Sequence, residues 1–372
     1  MPIRYSTYIR KTKSYLIVLV IFHFFSNSFG QDKNYYFYHP DIKIGSETTF
    51  NPLSVILNGG FDILRNGKSS KNISNQHYKI GIENVFQNLS HPLKNINRFG
   101  WRRFLTSEVF PVSSKSEDFQ YFPNYGNHMI GHGMKYVRLS EWFDYHNYSY
   151  PKTYAFLTSM TYAYLNEVIE NGNNRHINVD PIADMLIFNP LGILLFNTNW
   201  AKTFFSKTLP LYDWSLQPVY NPLNNHLENT GEQYVLNYRL TANYSLFFYW
   251  GTSGIFGVTS ALEDGYNLSF GAGGIVNRLI EKHKIRSGFW TRYVAPETID
   301  GALGVFYDYK HSLLYSLIVT GPIYYNARLN IYPGFLKYKN FSPGIFVGAG
   351  ELDSFQFGIT FAGFPLGLET KI

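Results

Sequence analysis

Residues 124–144 read Asn124-Tyr-Gly-Asn-His-Met-Ile-Gly-His-Gly-Met-Lys-Tyr-Val-Arg-Leu-Ser-Glu-Trp-Phe-Asp144, and their reading decides the first half of the fold. The apolar spacing predicts one helix, in spite of Gly126, Gly131 and Gly133. Glycines in a helix interior cost roughly 1 kcal/mol each. They also let a neighbouring helix or a ligand come close. Pro151 sits where a first-turn proline opens a helix, predicted to run to about Asn171. Its Ala155, Ser159, Ala163 and Glu167 fall four apart, a small-residue stripe that ends in a carboxylate. Asp180-Pro181 starts a third helix with Asp180 as its cap, and Asn189-Pro190 is expected to break or kink it. The segment closes on Met185-Leu-Ile-Phe-Asn-Pro-Leu-Gly-Ile-Leu-Leu-Phe196.

Beyond about Gly231 the pattern changes to strands. Ten candidates run 233–242, 244–250, 253–261, 266–276, 284–294, 300–310, 312–320, 323–332, 343–349 and 354–362. Gly, Pro and Asn separate them, with Asp264-Gly265 and Asp300-Gly301 as tight-turn pairs. Leu303, Val305, Tyr307 and Tyr309 alternate onto one face, as do Phe355, Phe357, Ile359 and Phe361. The expected class is α+β, with a mainly helical module over 31–230 followed by an antiparallel β-barrel of the outer-membrane type over 231–372. Ten strands, with one or two more from the N-terminal part, suit a small barrel filled by side chains or holding a small ligand.

Composition points the same way. Aromatic residues make up 19% of the chain and charged residues 16%, with 31 Tyr and 32 Phe. Such rings suit a membrane–water interface, where one end is dry and the other wet. Residues 1–30 form a signal-peptide pattern. Arg4, Arg10, Lys11 and Lys13 precede an apolar run from Tyr15 to Phe25, and cleavage is expected after Gly30. That run is too short for a spanning helix, which takes about twenty residues. Losing those four basic residues and no acidic one takes the net charge from +6 to +2, which removes the case for a nucleic-acid partner. The chain has no cysteine, hence no disulfide, no thiolate ligand and no lipid-bearing Cys. The expected place is the bacterial outer membrane, with membrane lipid as partner.

The chemistry clusters in 124–196. His128 and His132 stand four apart on a helix and could bind one divalent metal, with His128, His132 and Asp184 as ligands. Glu167 and Asp184 each lie in an apolar helix, where a bare charge would be costly. His128, His132, Glu167 and Asp184 are therefore the candidate catalytic set. They could activate water on a metal, or use a His base oriented by a carboxylate. The bland alternative is hydrogen bonding within a helical bundle. No Gly-x-Ser-x-Gly elbow, His-Glu-x-x-His pair or phosphate loop is present. Three functions stay open. The first is an outer-membrane protein with a structural or binding role. The second is a hydrolase of envelope lipids or esters, and the third a narrow transport barrel.

The order His128-x3-His132, Glu167, Asp184 and Asn189-Pro-x-Gly192 resembles an uncharacterised family of bacterial exported proteins. It is also loosely similar to YfiM-type lipoproteins, over roughly 100–196. The chain departs from those lipoproteins in having no lipid-bearing Cys and in its long β-rich C-terminal half. The resemblance implies an outer-membrane location and this choice of residues, and no activity.

Overall fold

The computed structural model describes residues 34–65, 70–110, 125–173, 178–251, 253–278, 283–287, 290–294, 297–321, 326–339, 341–350 and 355–371. The signal-peptide segment, 1–30, lies outside them.

Helices fill the first half: α1 (Pro52–Gly60), α2 (Tyr78–Ser90), α3 (Pro92–Phe99), α4 (Trp101–Phe104), α5 (His132–Tyr145), α6 (Pro151–Glu170), α7 (Asp180–Ala183), α8 (Asn189–Asn197) and α9 (Asn199–Thr203). Asn51 caps α1, its side chain accepting from Ser54 N while Ser54 Oγ accepts from Asn51 N. Helix α6 is the hub, packed on α1, α2 and α5. Its Ala155, Ser159, Ala163 and Glu167 are all buried, so the small-residue stripe faces the bundle. The aromatic segment Tyr35–Tyr38 lies before α1 and packs against α5. It is pinned where the Glu141 carboxylate accepts from the backbone N–H groups of Tyr36, Phe37 and Tyr38.

Three helical expectations change. Residues 124–144 are not one α-helix: Tyr125–Gly131 is a π-turn and α5 begins at His132. Likewise Asn189-Pro190 does not break the chain. A second π-turn, Asp184–Phe188, leads straight into α8, whose first turn holds Pro190. A π-turn already skips the regular i→i−4 bonds, so a proline without an N–H just beyond it removes little. Asp180 is not a cap but the first residue of α7; its N–H donates to Asn178 Oδ1.

The strands are β1 (Leu211–Asp213), β2 (Val219–Asn221), β3 (His226–Glu228), β4 (Tyr234–Arg239), β5 (Tyr244–Trp250), β6 (Ser253–Ala261), β7 (Tyr266–Arg278), β8 (His283–Ser287), β9 (Trp290–Val294), β10 (Glu297–Tyr309), β11 (Ser312–Thr320), β12 (Ala327–Ile331), β13 (Gly344–Ala349), β14 (Phe355–Thr360) and β15 (Gly367–Lys371). Thirteen form one sheet in the order β1-β4-β5-β6-β7-β10-β11-β12-β13-β14-β15-β2-β3, and β8-β9 pair separately. The chain is thus mixed helix and sheet, as expected. The sheet is not closed into a barrel: β1 and β3 are its ends. The helical part covers both edges. Leu211 of β1 lies in the main helical core, and Leu227 N donates to Lys71 O beside β3.

The sheet starts at 211 rather than 231, and β15 pairs with β2 in parallel. Strands of three residues carry too little alternation to be read from sequence. Asp264-Gly265 makes the expected tight turn, with positive φ at both residues. Asp300-Gly301 does not; it lies inside β10, paired with Ile275 and Gly274 of β7. Unbroken pairing to a long neighbour outweighs a two-residue turn preference.

Two cores result. The larger joins Met134, Trp142 and Phe143 of α5, Tyr162 of α6 and Phe196 of α8 to Tyr234 and Trp250 of the sheet. The second lies on the inner face of the sheet, around Trp214, Phe247, Tyr249, Phe306 and Tyr332.

Candidate metal centre

Three elements bring the site together. Gly133 of α5 and Gly192 of α8 stand where the two helices cross. A Cβ on Gly133 would lie 2.5 Å from the Gly192 carbonyl oxygen, so only glycine allows this approach. The crossing sets the π-turn carrying His128 against the π-turn carrying Asp184. Helix α6 supplies Glu167 from its buried stripe.

Ligand atoms of His128, Glu167 and Asp184 all lie within 4.8 Å of one another, close enough to hold a metal ion. His128 Nε2 is 3.3 Å from Asp184 Oδ2. Two ligands of one tetrahedral ion with bonds of about 2.0–2.2 Å stand roughly 3.3–3.6 Å apart, so this pair already has the needed separation. On the other side of the ring, His128 Nδ1 is 3.2 Å from Asn189 Oδ1. That amide oxygen only accepts, so Nδ1 carries the proton and the Nε2 lone pair faces Asp184. Asn189 is itself fully buried.

The charges are balanced against a dry environment. Burial pushes the Asp184 carboxyl well above its ordinary range, and the negative charges of Asp180 and Glu167 push the same way. A hydrogen bond joins Asp184 to Glu167, so one of the two carboxyls holds a proton. Burial likewise lowers His128 to about 4, against the opposing Asn189 bond. Asp184 Oδ1 is buried and has no hydrogen-bond partner. An unpaired buried acceptor costs about 1–3 kcal/mol unless something positive reaches it. The site opens at one point: the His128 side chain keeps 22% of its surface exposed, against 3% for Asp184.

His132 does not join this group. Its Nδ1 meets the Tyr162 hydroxyl at 3.0 Å, and its Nε2 has no hydrogen-bond partner. The expected ligand set of His128, His132 and Asp184 is therefore corrected to His128, Glu167 and Asp184. The partners are the reason: the His132 ring meets the Tyr162 hydroxyl of α6, while His128 faces Asp184. Burial lowers His132 to about 3, and the nearby His128 and Lys135 add to that.

Sequence reading passed over a second buried cluster. Lys135 Nζ lies 2.5 Å from Asp213 Oδ2, Arg138 Nη1 lies 2.8 Å from the same atom, and Arg138 Nη2 lies 2.7 Å from Glu47 Oε2. Lys135 and Arg138 are both buried, three apart on α5. Two cations three apart on one helix, each beside apolar neighbours, were the signal. Together they tie α5 to β1 and to the segment before α1. Elsewhere, Arg103 lies along the Phe99 ring, 4.8 Å from its centre.

No family model, curated protein or solved structure matches the chain.

Proposed function

We propose that this chain is an outer-membrane protein with a binding or structural role. Its sheet meets lipid, and its helical module holds a divalent metal at His128, Glu167 and Asp184. One observation carries the membrane part: the strands put large apolar side chains outward, and at several positions the neighbour turned inward is polar. Phe270 is 55% exposed beside buried Ser269, and Leu368 is 66% exposed beside buried Glu369. Phe355 and Gln356 repeat the pattern on β14. A sheet that faces water does the reverse. A sheet that faces lipid has an apolar outside and a polar inside. In this reading the helical module covers the gap between β1 and β3, so the sheet with its plug does the work of a closed barrel.

The metal part rests on the unpaired Asp184 Oδ1 beside a His nitrogen already at ligand distance. Nitrogen and carboxylate donors suit a borderline divalent ion such as Zn or Mn. A second reading, an envelope lipid or ester hydrolase, draws on the exposed edge of His128. Three protein ligands leave a position for water, which a metal would acidify for attack on an ester. Asn189 would hold the ring, and one carboxylate would accept the proton.

Membrane fractionation of cells expressing the full chain tests the first part. Recovery in the outer-membrane fraction, resistant to carbonate extraction, supports it; recovery in the soluble fraction overturns it. Metal analysis of the detergent-purified protein tests the second. Near-stoichiometric metal in the native protein, lost in Asp184→Asn, supports the site. Metal-free native protein after growth in metal-supplemented medium overturns it.

A further inference from the structure

The α8–α9 arm has two unlike sides. Inward, it buries Phe188, Asn189, Gly192, Ile193 and Phe196 against the bundle. Outward, Leu186 and Leu191 are each 47% exposed, and Leu194 and Trp200 each 65%. No single helix among the described residues is long and apolar enough to cross a membrane. The pair Asp180–Asn197 and Asn199–Thr208 passes that test only jointly, and it bends by 80° at Thr198. A rod broken in this way suits an element that enters one leaflet and turns along its surface. The turn carries the side chains that favour the headgroup level. Trp200 stacks on Phe204 with ring centres 5.5 Å apart, Lys207 is exposed, and Lys202 lies over the Tyr36 ring. Tryptophan and lysine in that place suit a surface that is apolar below and negatively charged above.

We propose that the α8–α9 arm is a monotopic membrane insert. Leu186, Leu191 and Leu194 enter the acyl chains of one phospholipid leaflet, while Trp200 and Lys207 lie among its anionic headgroups. This rests on the reading of the sheet as lipid-facing, and it adds a consequence for the site. The π-turn that bears Asp184 is part of the arm, so the metal centre lies directly behind the inserted face. A ligand reaching His128 from the leaflet would be an amphiphile.

The chain has no cysteine, so single cysteines can be placed and spin-labelled at will. The full chain is reconstituted into vesicles of phosphatidylethanolamine and phosphatidylglycerol, carrying Leu194→Cys, Leu303→Cys or Glu83→Cys. Collision with oxygen is compared with collision with a water-soluble nickel chelate. Leu194→Cys is expected to favour oxygen, as Leu303→Cys on the sheet does, and Glu83→Cys on α2 to favour nickel. A lipid signal at 303 with an aqueous one at 194 overturns the insert and leaves the sheet reading standing. Aqueous signals at both overturn the sheet reading as well. Native side chains give a second readout: brominated lipid is expected to quench the protein's tryptophan emission, and Trp200→Phe to lose part of that quenching. Equal fractional quenching in the two proteins overturns the insert.

Discussion

Gly133 and Gly192 meet backbone to backbone, leaving no room for a Cβ on Gly133, and this crossing holds the two π-turns of the candidate metal site together. Gly133→Val is therefore expected to push α8 away from α5. Overpacking of this kind costs about 1–3 kcal/mol. Thermal unfolding of the detergent-solubilised protein should show a lowered midpoint. Metal affinity should fall in the same variant, although no ligand has changed. An unchanged midpoint would show that the crossing is not tight.

Metal loading should separate the two histidines. His128→Ala and Asp184→Asn are expected to lose bound ion, whereas His132→Ala keeps it, because His132 faces Tyr162 instead. Asn189→Ala frees the His128 ring and should weaken binding by roughly 10–100-fold, the usual effect of removing a group that orients a ligand. Titration calorimetry on the stripped protein measures all four. Equal loss in His128→Ala and His132→Ala would restore the two-histidine site.

Stability should fall as pH drops below about 6.5. His132 ordinarily titrates at 6.5, and burial lowers it to about 3 in the folded chain. Above 6.5 both states carry it neutral, and its contribution is intact. Between 6.5 and 3 only the unfolded chain takes up the proton, so unfolding is favoured by about 1.4 kcal/mol per pH unit. Denaturant midpoints in micelles at pH 7.5, 6 and 5 should show this fall. His132→Leu should be less stable at pH 7.5, with the His132–Tyr162 bond lost, but should show a flatter profile. A profile of unchanged slope would mean that another group titrates.

Asp213→Ala should damage the fold more than Lys135→Met. Asp213 holds two buried cations, and losing it leaves Arg138 only Glu47 and Lys135 only the more distant Glu232, 3.5 Å away. Breaking a buried ion pair from one side costs about 3–5 kcal/mol. Lys135→Met leaves Asp213 its bond to Arg138 and fills the space with an apolar chain, so its cost should be smaller. Denaturant unfolding monitored by tryptophan emission compares the two. A larger loss in Lys135→Met would overturn the order.

The sequence by itself placed most of the strands between 234 and 360, though it read β8 and β9 as one strand and began β10 at a turn, and it placed the buried stripe of α6. Local physics sets both: alternation with period two marks a strand wherever its two faces meet different surroundings, and small residues four apart mark a close-packed helix face. It also singled out His128, Glu167 and Asp184, because charged or polar side chains in apolar helices need a partner. Tertiary structure decided who the partners are. The fold set His132 against Tyr162 and His128 against Asp184, and the π-turn at 184–188 carried the helix past Pro190; no local pattern announces its i→i+5 bonding. Strands β1 to β3, the parallel pairing of β2 with β15, and the Lys135–Asp213–Arg138 network join residues far apart in the chain. Such contacts form only when the whole core closes, so their energy is written in the packing and not in any single stretch of sequence.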